Sequence, residues 1–305
     1  MTLQEVGELA ASGVIQGASF GLLGAGFGLI FGITGRFHFA YSSSFALAAY
    51  MAIELQLWGA PILAAIAGGI AVGVVLGVGI ERWIYQPMAD RLGNASPFTI
   101  FVASLGITIV VENGINLIWG GEGRPFSGIS VTPINIGGVT FTYLDLFVVI
   151  AAVVLVAALE AFLRRTQAGR VISAVRVNPQ LARGIGIRPR QVHLWVFAIG
   201  TILCGVAAIY QAADSAATPD MGTAPLFDAF LVVFLAGYTK PPSVLLATGI
   251  GLGLIQNLSQ LWVSADWSPV VIFTVLLAYL VFKAIGVSRL RPARRPVLQP
   301  AGEAR

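Results

Sequence analysis

Residues 13–33 and 61–80 contain no charged side chain, and each run is about as long as a helix needs to cross a bilayer, ~20 residues. In hydrocarbon no water is available to the backbone, so a segment that crosses must bond its own amides and carbonyls, which a helix does within itself. Only 10% of the chain is charged and 57% is hydrophobic. A soluble domain carries about 25% charged residues to clothe its surface, so lipid is the expected solvent. Alternation with a period of two, the mark of a membrane β-barrel, is absent. The fold class that follows is an all-α polytopic membrane protein.

Nine apolar segments are expected, near 12–34, 39–57, 61–80, 97–119, 143–163, 193–213, 226–239, 243–263 and 268–285. The segment at 226–239 is short enough to be re-entrant, which would leave eight full spans. Between 164 and 192 lie seven arginines and no acidic residue. Excess Arg and Lys marks the cytoplasmic side, so this loop and the tail with Arg289, Arg291, Arg294 and Arg295 are expected inside. An even number of crossings must separate two inside points, so 226–239 is expected to cross. Counting back gives nine spans with the N-terminus out and the C-terminus in. Arg36, Arg82 and Arg91 then fall inside, and Asp214, Asp220 and Asp266 outside. The domain reading is one transmembrane domain over 1–288 with a cytoplasmic loop at 164–192, followed by a basic cytoplasmic tail over 289–305.

Residues 69–76 (GIAVGVVL) resemble 249–256 (GIGLGLIQ), and 96–105 (SPFTIFVASL) resemble 268–277 (SPVVIFTVLL). Under this topology each pair runs in opposite directions, as in the inverted repeats of transporters. Glycine-rich membrane helices also produce such short matches by chance. Glycines at four-residue spacing (Gly17, Gly21; Gly24, Gly28, Gly32; Gly69, Gly73, Gly77) predict close helix packing.

Ser104, Thr108, Glu112 and Asn116 recur every fourth residue, with Asn113 adjacent, and so share nearly one helical face. An ionisable group such as Glu112 inside a membrane is costly and is a functional-site hypothesis by default. Gln256 and Asn257, with Gln260, form a second polar cluster. His38, Tyr41 and Ser42, with Ser43 and Ser44, stand where the second span begins, to line a path or cap the helix. Asp228 and Glu54 are placed nearer the outer rim. In the basic loop, Asn178–Pro179 is a helix-start signal, and Gly184 and Gly186 can end the turn. A short helix on the cytoplasmic face is therefore expected, offering a docking surface beside a headgroup-attracting arginine cluster.

No GxxxxGK[ST] phosphate loop, HExxH or Gly-x-Ser-x-Gly motif occurs. No catalytic residue, metal site or cofactor is expected in this chain. The single cysteine, Cys204, excludes an internal disulfide.

Several separated motifs, spanning roughly 17 to 287, resemble the LivH/LivM family, permease subunits of branched-chain amino acid ABC importers. His38–Phe39–Ala40–Tyr41–Ser42 followed by Ala48–Ala49–Tyr50 is similar to its Asn-Phe-Ala-His-Gly and Gly-Ala-Tyr motifs. IERWIYQPM (80–88) resembles its basic loop, and ASLGITIVVEN (103–113) its Thr-x-Gly helix. RRTQAGRVISAVRVNPQLARGIGI (164–187) is the closest match. The resemblance implies an inverted-repeat importer permease in a bacterial inner membrane. It implies a coupling helix within 173–187 that uses Arg176, Asn178, Pro179, Ala182, Arg183 and Gly186. It further implies two cytoplasmic ATPase subunits that bind the ATP, a second, LivM-like permease chain and a periplasmic or lipid-anchored solute-binding protein. No nucleic-acid partner is implied. Departures at His38, Tyr41, Ser42 and Glu112, at AGYTKPPS (236–243) and at Lys283–Ala284 leave other amino acids, amides, urea or small carboxylates open as solutes. The alternative is an ion-coupled secondary transporter or channel with Glu112 as its ion site.

Overall fold

A computed structural model of the chain describes residues 3–93, 96–126, 133–136, 139–264 and 267–290. Asp266 and the tail arginines from 291 onward lie outside the described residues. In order, the elements are α1 (Leu3–Thr34), α2 (Tyr41–Leu57), α3 (Ile62–Ile80), a π-helical turn (Glu81–Tyr85) leading into α4 (Gln86–Leu92), and α5 (Ser96–Trp119). A hairpin, β1 (Pro133–Ile136) and β2 (Val139–Thr142), precedes α6 (Tyr143–Arg165), α7 (Gln167–Val177) and α8 (Pro179–Gly184). The chain continues with α9 (Pro189–Ser215), α10 (Thr223–Ala236), α11 (Pro242–Ser259) and α12 (Ser268–Leu290). All nine expected apolar segments are helical. Two local details differ from expectation. The basic stretch after α3 stays helical to Leu92, and a small antiparallel hairpin pairs Pro133 with Thr142 and Ile136 with Val139.

Among the described residues, six helices are long and apolar enough to cross a membrane alone: Gln4–Thr34, Ile62–Leu92, Pro97–Trp119, Tyr143–Arg165, Pro189–Ser215 and Pro242–Ser259. α2, with 17 residues, and α10, with 14, are shorter because each begins inside the protein. Residues 35–40 between α1 and α2 and 216–222 between α9 and α10 are not helical. Gly35 opens the first break at φ +65°, and Ala216 opens the second at φ +68°, a left-handed conformation that a Cβ disfavours. Buried peptide groups freed by unwinding need partners. The Phe39 amide donates to the Ser104 hydroxyl at 3.2 Å, and Arg124 and Ala217 exchange both backbone bonds at 2.9 and 2.8 Å. The two short helices start side by side: a Cβ on Gly222 would strike the backbone of Ser42.

Glycine contacts fix the directions. Gly13 lies on Gly253, Gly17 on Gly249 and Ile250, and Gly21 on Leu246, so α1 and α11 are antiparallel with their backbones touching. Gly77 lies on Thr201 and Gly205 on Ile70, so α3 and α9 are antiparallel too. Gly24 meets Val232 and Gly32 meets Tyr238, making α10 parallel to α1. Gly69 and Gly73 pack on Ala48 and on Ser44, making α2 antiparallel to α3 and hence parallel to α9. Gly26 lies on Leu203 and Gly200 on Ile30, so α1 and α9 are antiparallel, and exchanging α1, α2 and α3 for α9, α10 and α11 leaves these relations unchanged with every direction reversed. The inverted repeat suggested by two short matches is therefore a property of the whole fold, and α6 to α8 connect its halves.

One end of the bundle carries Arg36, α4, α7, α8 and the start of α9. The opposite end carries Glu54, Arg124, the hairpin and the start of α6. α1, α2 and α9 form the buried centre, while α3, α5, α6 and α12 present broad apolar faces outward.

Candidate functional site

The polar stripe on α5 divides by depth. Ser104 and Thr108 are buried and turned to backbone: Ser104 donates to the Phe101 carbonyl at 2.7 Å and Thr108 to the Ser104 carbonyl at 3.0 Å. Asn113 is exposed and donates to the Ile109 carbonyl at 2.8 Å, and Asn116 is exposed as well. Glu112 is half-buried and accepts a hydrogen bond from the Thr223 hydroxyl at 2.9 Å. Thr223 is the first residue of α10. A carboxylate there faces the positive end of the helix dipole, which helps to hold a charge within an apolar bundle.

Between Glu112 and the arginine-rich end the space is filled by aromatic rings. Phe39 lies 5.4 Å from Phe101 and 5.3 Å from Phe230, and Phe37 lies 6.1 Å from Phe234. Phe227 reaches Phe273 on α12 at 6.3 Å. The face formed by α5, α10 and α12 thus has a carboxylate halfway along and an apolar plug on one side of it.

His38, Tyr41 and Ser42 do not line this face. All three are buried. His38 Nδ1 and the Tyr85 hydroxyl are 2.9 Å apart, and Tyr41 donates to the Gly200 carbonyl at 3.1 Å. The N-cap of α2 is Ala40, with no side-chain cap bond. Ser42 instead donates to the Phe39 carbonyl at 3.1 Å, so the serines do not cap. Their burial follows from α2 beginning inside the bundle rather than at its surface.

Gln256 and Asn257 lie elsewhere again. Asn257 donates to Gln16 across the α1–α11 seam at 2.8 Å. Both of these partners line a cavity of about 470 Å³ toward the hairpin end, with Asp145, Tyr210, Asp214 and Asp228 on its other walls. Asp145 is occupied by the capping box with Thr142 and by the Tyr210 hydroxyl at 3.1 Å. Asp228 corrects the sequence reading. It stands in the second turn of α10 against this cavity rather than at the rim, because α10 itself starts deep. Among the described residues no group of three or more His, Cys, Asp or Glu is placed to hold a metal ion. Glu54 does lie at the rim, 3.2 Å from Arg124 and 3.0 Å from the Trp119 ring nitrogen.

At the arginine-rich end Asn178 caps α8, its side-chain oxygen accepting from Gln180 and Leu181 amides at 3.0 Å each. Pro179 fills the first helical position, and Gly186 takes φ +86° after the helix. Ala182 is buried beneath the turn, whereas Val177, Leu181 and Ile185 are 85%, 67% and 72% exposed. Arg183 is exposed. Arg176 points back to the α10–α11 connection and donates to the Tyr238 carbonyl at 2.9 Å.

One cluster escaped the sequence reading. Glu81 is fully buried and is paired with Arg36. Gln86 donates to it at 3.2 Å, and His193 Nδ1 lies 3.5 Å away. These contacts tie the α1–α2 break, the π-helical turn and the start of α9 into one knot. Its only sequence signal is an isolated acid at the basic end, with its partner 45 residues away.

The family model described as "Branched-chain amino acid transport system / permease component" matches residues 9–280. The high-affinity branched-chain amino acid transport system permease protein BraD of Pseudomonas aeruginosa is 24% identical over 293 residues, 90% of this chain and 93% of that protein. The corresponding LivH of Escherichia coli K12 is 23% identical, with 90% and 93% covered. The fructose import permease protein FruF of Bifidobacterium longum is 24% identical over 75% of this chain and 63% of its own length. Among solved structures, PsaBC from Streptococcus pneumoniae in complex with Fab shares the fold at a TM-score of 0.51 and 12% identity, over 88% of this chain and 89% of that one.

Proposed function

Because the chain belongs to the family of permease components of branched-chain amino acid transport systems, we propose that it is one membrane-spanning half of an ATP-driven importer for a small zwitterionic solute. Members of this family are multi-pass membrane subunits that work with ATPase and solute-binding partners. The observation that carries the solute reading is the pair of short helices, α2 and α10, that begin side by side inside the bundle, with Glu112 at the start of α10. Transporter sites form where helix N-termini open inside the bundle. A carboxylate beside a helix N-terminus offers opposite charges at close range, suited to the ammonium and carboxylate of an amino acid. A sugar, the cargo named for FruF, would bring no ammonium group to pair with Glu112. Branched-chain amino acids are the first solutes to test.

In this account the face made by α5, α10 and α12 is completed by a second permease chain, which places the path between the two. The aromatic plug closes its inner side. The arginine-rich end faces the cytoplasm of a bacterial inner membrane, with the N-terminus out and the C-terminus in. Two ATPase subunits bind the ATP, one of them gripping α8 through Leu181, Ile185 and Arg183, and a solute-binding protein delivers from outside. The chain itself carries out no catalysis.

Purification of the tagged chain from its native cells tests the proposal. An ABC ATPase should accompany the wild-type protein and be lost from Leu181→Asp at unchanged membrane abundance. Copurification unaffected by that charge, or no ATPase at all, would contradict it.

A further inference from the structure

We infer that the inner end of the α3–α9 seam is a binding site for an anionic glycerophospholipid. A groove of about 910 Å³ opens there, with Arg82, Trp83, Arg183, Arg188 and Leu194 on its walls. Arg190 and Asp90, also on the wall, are already paired with each other. Among the described residues no carboxylate lies within ion-pair distance of Arg82, Arg183 or Arg188, so the groove is left strongly cationic.

Its position selects a lipid. The exposed positions of α3 run Leu63, Ala67, Ala71, Val75 and then, two turns on, Arg82. Those of α9 run, from the inner end, Arg188, Gln191, Trp195 and Ile202. Both stripes have helical spacing, and the two helices pack antiparallel, so the apolar parts of the stripes flank one outward-facing seam. This seam lies away from the α5–α10–α12 face. At its inner mouth the side chains change from aliphatic to arginine, with Trp83 70% exposed beside them. Tryptophan and snorkelling arginine are the residues that settle at headgroup depth. A phosphate accepted by Arg82 and Arg188 would leave its acyl chains lying along Val75 and Ile202. Neighbouring Arg183 lies on α8, so the lipid would touch the docking element from behind.

The site depends on the chain spanning a bilayer and not on what it transports, and its test needs no transport assay. The full chain, purified with its accompanying subunits in a mild detergent after exposure to vesicles of equal parts phosphatidylglycerol and phosphatidylcholine, is weighed by native mass spectrometry. Wild type should retain phosphatidylglycerol in preference. Arg82→Gln/Arg188→Gln should bind it about 30-fold less well, the product of two headgroup contacts. Arg165→Gln/Arg170→Gln removes equal charge from the same end and should retain it. Equal retention by the first pair and wild type, or equal loss in both pairs, would overturn the site. So would displacement of the lipid by millimolar inorganic phosphate, or by added ATPase subunit, either of which would assign the groove to that occupant instead.

Discussion

Glu112 joins two requirements that usually conflict, a charge inside the membrane and a place to keep it. Thr223 and the α10 N-terminus supply the place, so Glu112→Gln, which retains an acceptor for the Thr223 hydroxyl, should fold normally. Losing one charge-assisted contact to an ammonium group costs ~1.5 kcal/mol, so initial uptake should fall about tenfold at equal abundance by immunoblot. Unchanged uptake would remove Glu112 from the path. Glu81 should behave differently. Removing one partner of a buried ion pair leaves the other uncompensated, at ~3–5 kcal/mol. Glu81→Ala should therefore lower the thermal midpoint in detergent sharply, and Arg36→Met/Glu81→Leu should recover much of the loss. If Glu81→Ala melts with wild type, the knot does not hold the inner end together. Glu112 was legible because its stripe is local, four residues per step. Glu81 was not, because its meaning depends on Arg36, which only tertiary structure brings near. The capping alternative for the serines fails for a related reason: polar residues at a helix start read as surface caps unless the start is known to be buried.

At the scale of elements, the apolar runs gave nearly every helix, since length and lack of charge are decided within the segment. The connections at 35–40 and 216–222 fall in the gaps between expected segments, but their depth inside the bundle is not visible in the sequence, because what stabilises them there is distant. Ser104 holds one amide, and Arg124 pairs with Ala217. α8 was readable in advance, since Asn178, Pro179 and Gly186 act within one turn. The glycine spacing also has a direct consequence. A side chain at Gly17 or Gly249 would collide with the facing backbone, so Gly17→Val or Gly249→Val should abolish accumulation of folded protein on fluorescence-detection size-exclusion chromatography. Gly106 has nothing within 4 Å of its missing Cβ, so Gly106→Ala should match wild type. A folded Gly17→Val protein would mean that α1 and α11 do not touch as described.

For the whole molecule, the arginine excess and the inverted repeat make one linked claim: the two halves cross the membrane in opposite senses, and the basic end faces inward. Membrane-impermeant maleimide should label a cysteine placed at Leu181 only after permeabilisation, and one placed at exposed Glu122 in intact cells, with buried Cys204 silent in both. The reverse pattern would put α8 out of reach of any cytoplasmic motor. The most direct test of the account is energised uptake by the reconstituted complex of this chain and its partners. ATP supplied on the α8 side should drive branched-chain amino acid accumulation that Leu181→Asp abolishes and that collapse of the proton gradient leaves intact. Accumulation that ignores ATP and vanishes with the proton gradient would make Glu112 an ion-coupling site and the chain a secondary transporter.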